Sequence, residues 1–210
     1  MSNLFDCCIY GWPELGAVEP WSTLSWGYTE CKRHAVKLYA RLGLHPILLN
    51  GTLDDGACTC GHPDCGNSRG KHPVHKGWQT SPLDVAALDL ALESRPRHNI
   101  GIRTGLQPCG RFLVAVDVDG PLELLHEYSP DEPFPPTLTA RTGSGGTHLF
   151  YWLTEGLEMG NRAGLLGKRP KEQGNIDIRG AGGQVVAAPS LHLSGNQYKW
   201  IDAREPEVLP

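Results

Sequence analysis

The side chains best placed for chemistry are Asp117 and Asp119, which close the run Phe112-Leu-Val-Ala-Val-Asp-Val-Asp-Gly120. The apolar, largely β-branched part of that run reads as a strand covered on both faces. Side chains at i and i+2 of a strand share a face, so the two carboxylates project together and repel each other. A divalent cation relieves that repulsion, and oxygen ligands suit Mg²⁺ or Mn²⁺. The plainer alternative is a strand running into an acidic Asp-Gly turn.

A second strand-like stretch, Gly174-Asn-Ile-Asp177-Ile-Arg179-Gly180, puts a carboxylate and a guanidinium on one face at the same spacing. Such a pair is often structural and contributes little when exposed. Beside an Asp pair, however, a third acid would complete a site for two metal ions that hold triphosphate oxygens and activate an attacking hydroxyl. The arginine would then offset phosphate charge. Between these strands lies Arg141-Thr-Gly-Ser144-Gly145-Gly146-Thr-His148. Backbone N–H groups of a glycine turn can cradle phosphate oxygens, and a hydroxyl and an imidazole add donors; a glycine hairpin with an incidental histidine is the alternative.

Chemistry of a different kind is expected from Cys58-Thr-Cys60-Gly-His62-Pro-Asp-Cys65, followed by Gly70-Lys-His72-Pro73. Three thiolates and an imidazole arranged tetrahedrally suit Zn²⁺. The expected ligands are Cys58, Cys60, Cys65 and His72, with His62 competing for the fourth place; three free surface thiols are the alternative. The loop has almost no apolar content, so a metal would be what orders it. Near the C-terminal end, Ala188–His192 and Gly195–Trp200 read as a hairpin, with Tyr198 and Trp200 able to stack on a base but better suited to a core.

These residues need elements to hold them. Thr29 is a plausible N-cap for a helix Glu30–Leu42, closed by Gly43, and His45–Asn50 follows as a short strand. Ser81 with Pro82 opens a second helix that ends at Pro96. Asn99–Gly105 reads as strand and turn before the Asp strand, and Leu122–Tyr128 as a short helix after it. Strands are then expected at 137–142, 148–153, 175–179, 184–188 and 197–201, with a mobile basic connection over 154–174. Residues 1–28, aromatic and broken by proline, read as an irregular arm. Residues 29–210 form the remaining domain, with the loop of about 51–80 inserted. The mix of helices and a β-rich second half predicts an α+β fold.

Composition narrows the options. The chain has 210 residues, a net charge of −4, 26 glycines and 17 prolines, which favours short strands and turns and excludes wholesale polyanion binding. Seven cysteines, three of them close together, favour reduced thiols and a metal over a disulfide framework, and hence an intracellular, cytoplasmic protein. Neither a signal peptide nor a run long enough to span a membrane is expected.

Taken in order, Asp117-Val-Asp119, Ser144-Gly-Gly-Thr-His148 and Ile-Asp177-Ile-Arg179-Gly180 resemble the three motifs of the prim-pol branch of the archaeo-eukaryotic primase superfamily. Gly70-Lys-His-Pro73, Asn99-Ile-Gly-Ile102 and Val186-Ala-Ala-Pro-Ser-Leu-His192 match as accessory features, and the similarity spans roughly residues 30 to 201.

The resemblance implies a primase–polymerase core, with an RRM-like antiparallel or mixed sheet packed against a smaller α/β subdomain and a zinc-binding loop. It implies that Asp117, Asp119 and Asp177 ligate two Mg²⁺ or Mn²⁺ ions. His148 would contact the incoming nucleotide, Arg179 would lie near its phosphates, and Arg141, Ser144, Gly145 and Gly146 would bind the nucleotide from the surrounding turn. Compact versions of the second motif have Ser two residues before the His, where this chain has Gly146. The implied activity is template-directed nucleotidyl transfer that makes and extends primers in replicating a plasmid, phage or other mobile element. Its partners would be single-stranded DNA template, primer strand and NTP or dNTP, with a helicase domain or protein as an accessory. The zinc loop is expected outside the chemistry, nearer the nucleic acid. Two other classes compete: a catalytically inactive zinc-bearing nucleic-acid-binding module, and a metal-dependent nuclease using the same carboxylates.

Overall fold

The structure is a computed structural model that describes residues 25–209. The arm expected over residues 1–28 lies, up to residue 24, outside the described residues. The chain forms an α+β fold of two sheets and three α-helices among those residues. The first unit runs α1 (Ser25–Arg41), β1 (His45–Leu49), α2 (Val85–Ser94) and β2 (Asn99–Arg103). The second runs β3 (Gly105–Leu106), β4 (Phe112–Asp119), α3 (Glu123–Tyr128), β5 (Leu138–Arg141), β6 (Thr147–Leu153) and β7 (Asn175–Arg179). Then β8 (Gln184–Val186) returns to the first sheet, while β9 (Lys199–Asp202) and β10 (Glu207–Leu209) complete the second. None of the described helices is long and apolar enough to cross a membrane.

The small sheet has the order β1-β2-β8, all antiparallel. In the large sheet β4 is central, antiparallel to β6 on one side and to β3 and β7, end to end, on the other. Beyond β6 lie β5 and, in parallel, β10, with β9 outermost beside β5.

The period-2 alternation of β4 divides the molecule into two cores. Val114, Val116 and Val118 pack with Leu149, Tyr151, Ile176 and Ile178 beneath Leu124 of α3. On the opposite face Leu113 and Ala115 pack with Phe150, Trp152, Tyr198 and Trp200, and with Val36 and Tyr39 of α1 and Leu92 of α2. Asp117 and Asp119 continue this second face. They therefore stand where the apolar filling between the large sheet and the helical unit stops.

The strands fall within a residue or two of the positions expected from sequence, whereas the helix starts differ. Because α1 begins at Ser25, Thr29 lies inside it and is not its cap. The N-cap of α2 is Asp84, whose carboxylate accepts from the Ala87 N–H at 2.9 Å, rather than Ser81. Both candidates are good caps by type; the helix takes the one adjacent to its first apolar residue, Val85. The basic connection is pinned to the edge of β7, where Arg162 and Ile178 exchange backbone hydrogen bonds at 2.9 and 2.7 Å. The strand β10 was not anticipated from sequence.

Candidate active site and metal cluster

Register assembles the acid site. Asp117 lies directly opposite His148 of β6 on one side and Asp177 of β7 on the other. Directly opposed residues on neighbouring strands bring their side chains together on the same face, so the sheet itself forms the row Asp177–Asp117–His148. Two positions along, Arg179 stands opposite Ala115, whose small side chain leaves the guanidinium room to turn toward the acids. Its Nη2 donates to Asp177 Oδ2 at 2.7 Å and lies 3.6 Å from Asp117 Oδ2. His148 Nε2 is 3.3 Å from Asp117 Oδ1. The other Asp177 oxygen, Oδ1, accepts from the Gly164 backbone N–H at 2.8 Å. The basic connection thus fixes the third acid from outside the sheet.

The two acids of β4 differ electrostatically. Burial alone would raise the Asp117 carboxyl, but His148, Arg179 and Lys71 outweigh it and hold the group below the usual carboxylate range. Asp119, at the open end of the strand, is raised by desolvation and by repulsion from Asp117 and Asp177. A site with one firmly ionised carboxylate and one that resists ionisation is short of positive charge, which is what a hard divalent cation supplies. His148 is 5 % exposed, and its Nδ1 is buried without a hydrogen-bond partner among the described residues.

The glycine turn between β5 and β6 adjoins this site. It closes through the Thr142 N–H on the Gly146 carbonyl and the Gly145 N–H on the Thr142 carbonyl. A Cβ at Gly146 would lie 2.6 Å from the Val118 carbonyl oxygen, so only glycine lets the turn sit against the end of β4. The side chains of the turn engage one another: Arg141 Nη1 donates to the Gly145 carbonyl at 3.1 Å, and Ser144 Oγ is 3.0 Å from Thr142 Oγ1. Tyr198 and Trp200 are buried in the core, where the Trp200 indole N–H donates to Tyr39 Oη at 2.9 Å, so neither is free to stack on a base.

The cysteine loop forms a second cluster. The ligating atoms of Cys58, Cys60, Cys65 and His72 all lie within 4.8 Å of one another, the one place among the described residues where three or more such groups gather so tightly. Cys58 Sγ is 3.3 Å from His72 Nε2, Cys60 Sγ is 3.3 Å from Cys65 Sγ, and Cys65 Sγ is 3.8 Å from His72 Nε2. With Zn–S near 2.3 Å and Zn–N near 2.0 Å, neighbouring ligand atoms of a tetrahedron stand roughly 3.4–3.8 Å apart, so the donor set fits zinc in both chemistry and spacing. His62 contributes its backbone instead, its N–H donating to Cys60 Sγ at 3.3 Å. Without a cation the sulfurs crowd one another: the Cys65 thiol is pushed up to about 12, chiefly by its hydrogen bond with Cys60. The three acids are neighbours in register without closing to this spacing.

Sequence reasoning missed Lys71, because nothing in Gly-Lys-His-Pro says which way the lysine acts. Its charge acts on Asp117, Asp119 and His192. The strap Gly70–Pro73 that carries it is tied at each residue. Asn99 Nδ2 donates to the Gly70 carbonyl at 2.9 Å, Gln184 Nε2 to the Lys71 carbonyl at 2.9 Å, and the Asn50 N–H to the His72 carbonyl at 2.9 Å. Pro73 bridges Leu49 of β1. Asn99 also exchanges hydrogen bonds with Leu191, and Ser190 Oγ does so with Ile100. The three accessory stretches are therefore one knot, which carries Lys71 from the end of the cysteine loop to where its charge acts on the acids.

No curated protein matches the chain. A family model, described as bifunctional DNA primase/polymerase, N-terminal, matches residues 35–210, which include the acid row, the glycine turn, the cysteine loop and the strap. The chain belongs to the Prim-Pol family of DNA primases/polymerases.

Proposed function

We propose that this chain is the catalytic unit of a template-directed primase and polymerase, joining nucleotides by two-metal-ion phosphoryl transfer to make and extend primers. The single observation that carries the reading is the register row Asp177–Asp117–His148, with Arg179 beside it, on the open end of a sheet otherwise packed as core. Asp117, Asp119 and Asp177 would hold the two Mg²⁺ or Mn²⁺ ions, which when bound neutralise the triphosphate and lower the pKa of the attacking hydroxyl.

The chain's own side chains then position the reactants. Arg179 and Lys71 supply the positive charge that offsets the triphosphate beside the acids. The buried Nδ1 of His148, costly while unpaired, would gain a partner in an ordered water that bridges to a phosphate oxygen. A 3′-hydroxyl, or the hydroxyl of an initiating nucleotide, attacks the α-phosphate. The new P–O bond forms as the bond to the β-phosphate oxygen breaks, and pyrophosphate leaves. No protein nucleophile is required, because orientation and charge neutralisation supply the acceleration. In this reading residues 29–210 act as one unit with the loop inserted, and the large sheet is the RRM-like layer. A single-stranded template, a primer strand and NTP or dNTP are the substrates, in the replication of a plasmid, phage or other mobile element.

The test is priming on a short single-stranded DNA with each nucleotide class offered separately, in Mg²⁺ and in Mn²⁺. Labelled primers are expected from the native chain and none from D117A/D119A. Equal synthesis by the double variant, or none by the native chain under every condition, sinks the assignment.

A further inference from the structure

Beside the cysteine loop opens a cleft of about 810 Å³, bounded by that loop, the segment after the strap and the turn after α2. Its lining includes Lys76, Arg95, His62, His75, His98 and Trp78, and no carboxylate, in a chain whose net charge is −4. Lys76 and Arg95 are exposed, line the same cleft and have no acidic partner among the described residues. Two cations in the walls of a cleft that carries no acid favour an anion there.

Burial above all, with smaller contributions from Arg95 and Lys32, pushes the His98 imidazole down to about 4. Trp78 is half-buried, anchored against the core on one side and open to the cleft on the other. Aromatic platforms among scattered cations are the physical signature of single-stranded nucleic acid, whose phosphates meet the charges while bases stack without regard to sequence. A second metal–nucleotide site is disfavoured, because the lining offers no carboxylate to hold a hard cation.

We propose that this cleft seats a segment of single-stranded DNA, with its phosphates on Lys76 and Arg95 and a base against Trp78. The proposal deepens the polymerase reading and rests on it for the choice of DNA as the strand. His72, which contributes to the cleft and to the cysteine cluster, sits one residue from Lys71, so a strand held here is anchored on the same strap that faces the acids.

Fluorescence anisotropy of a fluorescein-labelled oligothymidylate, with the zinc-loaded full chain and neither nucleotide nor Mn²⁺, tests it. K76E/R95E should weaken binding about tenfold or more at low salt. It should also flatten the slope of log Kd against log salt by about 1.4, two contacts at roughly 0.7 each for a single strand. Thermal unfolding should be unchanged, because both side chains are exposed. Charge reversal at Lys168 and Lys171, exposed residues of the other basic segment, should leave the affinity unchanged. An oligonucleotide carrying 5-iodouracil should photocross-link to Trp78 in the native protein.

Native affinity in K76E/R95E, or cross-links confined to the 162–171 segment, overturns the proposal. D117A/D119A should bind the oligonucleotide as the native chain does. No synthesis by the native chain while K76E/R95E weakens oligonucleotide binding therefore counts against the polymerase reading alone, and synthesis by the native chain with native affinity in K76E/R95E counts against this proposal alone.

Discussion

The acid row and the cysteine cluster bring polar side chains together by opposite means. The row is built on β4, β6 and β7, whose alternate residues are buried in two apolar cores. Its geometry follows from strand register and exists before any cation arrives. The cysteine cluster stands on a loop whose only described helical turn is Gly66–Ser68, with Cys58 buried and Cys60 exposed. With so little apolar content, its order would depend on a bound cation. A sheet-borne site can lose a ligand and keep its shape; a loop-borne site loses its shape with its ligand. The strap between them is where the second site touches the first.

The largest effect expected from this contrast is chemical. D117A/D119A should lower nucleotide incorporation at least about a thousandfold while circular dichroism and Tm stay near native, because Val116 and Val118 still fill the core beneath. Unfolding of that variant would show the row to be structural.

Next in size is C58S, which should abolish bound zinc, measured by metal analysis. Hydrogen exchange of residues 52–76 should accelerate by more than about tenfold, with β4, β6 and β7 still protected. Uniform loss of protection would mean that the two regions are not separable.

K71M tests the join. It should raise KM for the nucleotide by about tenfold, the scale of one charge-assisted contact, with a smaller change in kcat and full zinc content. An unchanged KM would detach the strap from the acids.

The smallest effect follows from the raised Asp119 carboxyl. A proton competes with the cation there, so Mn²⁺ affinity should fall as pH drops through a range above that of ordinary carboxylates, and D119N should lose this dependence. For the cation-free fold the sign is opposite. A carboxyl whose folded pKa is raised contributes stability at low pH that is lost as pH rises through that pKa. D119N should therefore be slightly more stable than the native chain at neutral pH, by less than about 1 kcal/mol because the group is exposed. Calorimetry across pH would show the advantage disappearing on acidification.

Much of this was legible in the residues. The alternation of β4 put Asp117 and Asp119 on one face, and the spacing of Asp177 and Arg179 did the same on β7. Both follow from the period of a strand and need no partner to be known. The strand positions were similarly clear, because glycines and prolines punctuate them. Helix starts were not: Thr29, Ser81 and Asp84 are all acceptable caps, and packing of the apolar face chooses among them. The strand β10 was missed because its pairing with β6 is parallel and remote in sequence.

The sequence by itself determined which groups exist and which neighbours share a face: two carboxylates on one strand, an acid and an arginine on another, three thiols within one loop. Tertiary structure alone decided which of these meet. Opposing Asp117 to both His148 and Asp177 requires two strands to dock on β4 in one register, and side-chain period says nothing about register between strands. His72 rather than His62 joins the cysteines, and Lys71 acts on the acids, because Asn99, Gln184 and Asn50 fix the strap from three separate strands or their ends. Such hydrogen bonds are long-range in the chain and leave no periodic trace in it.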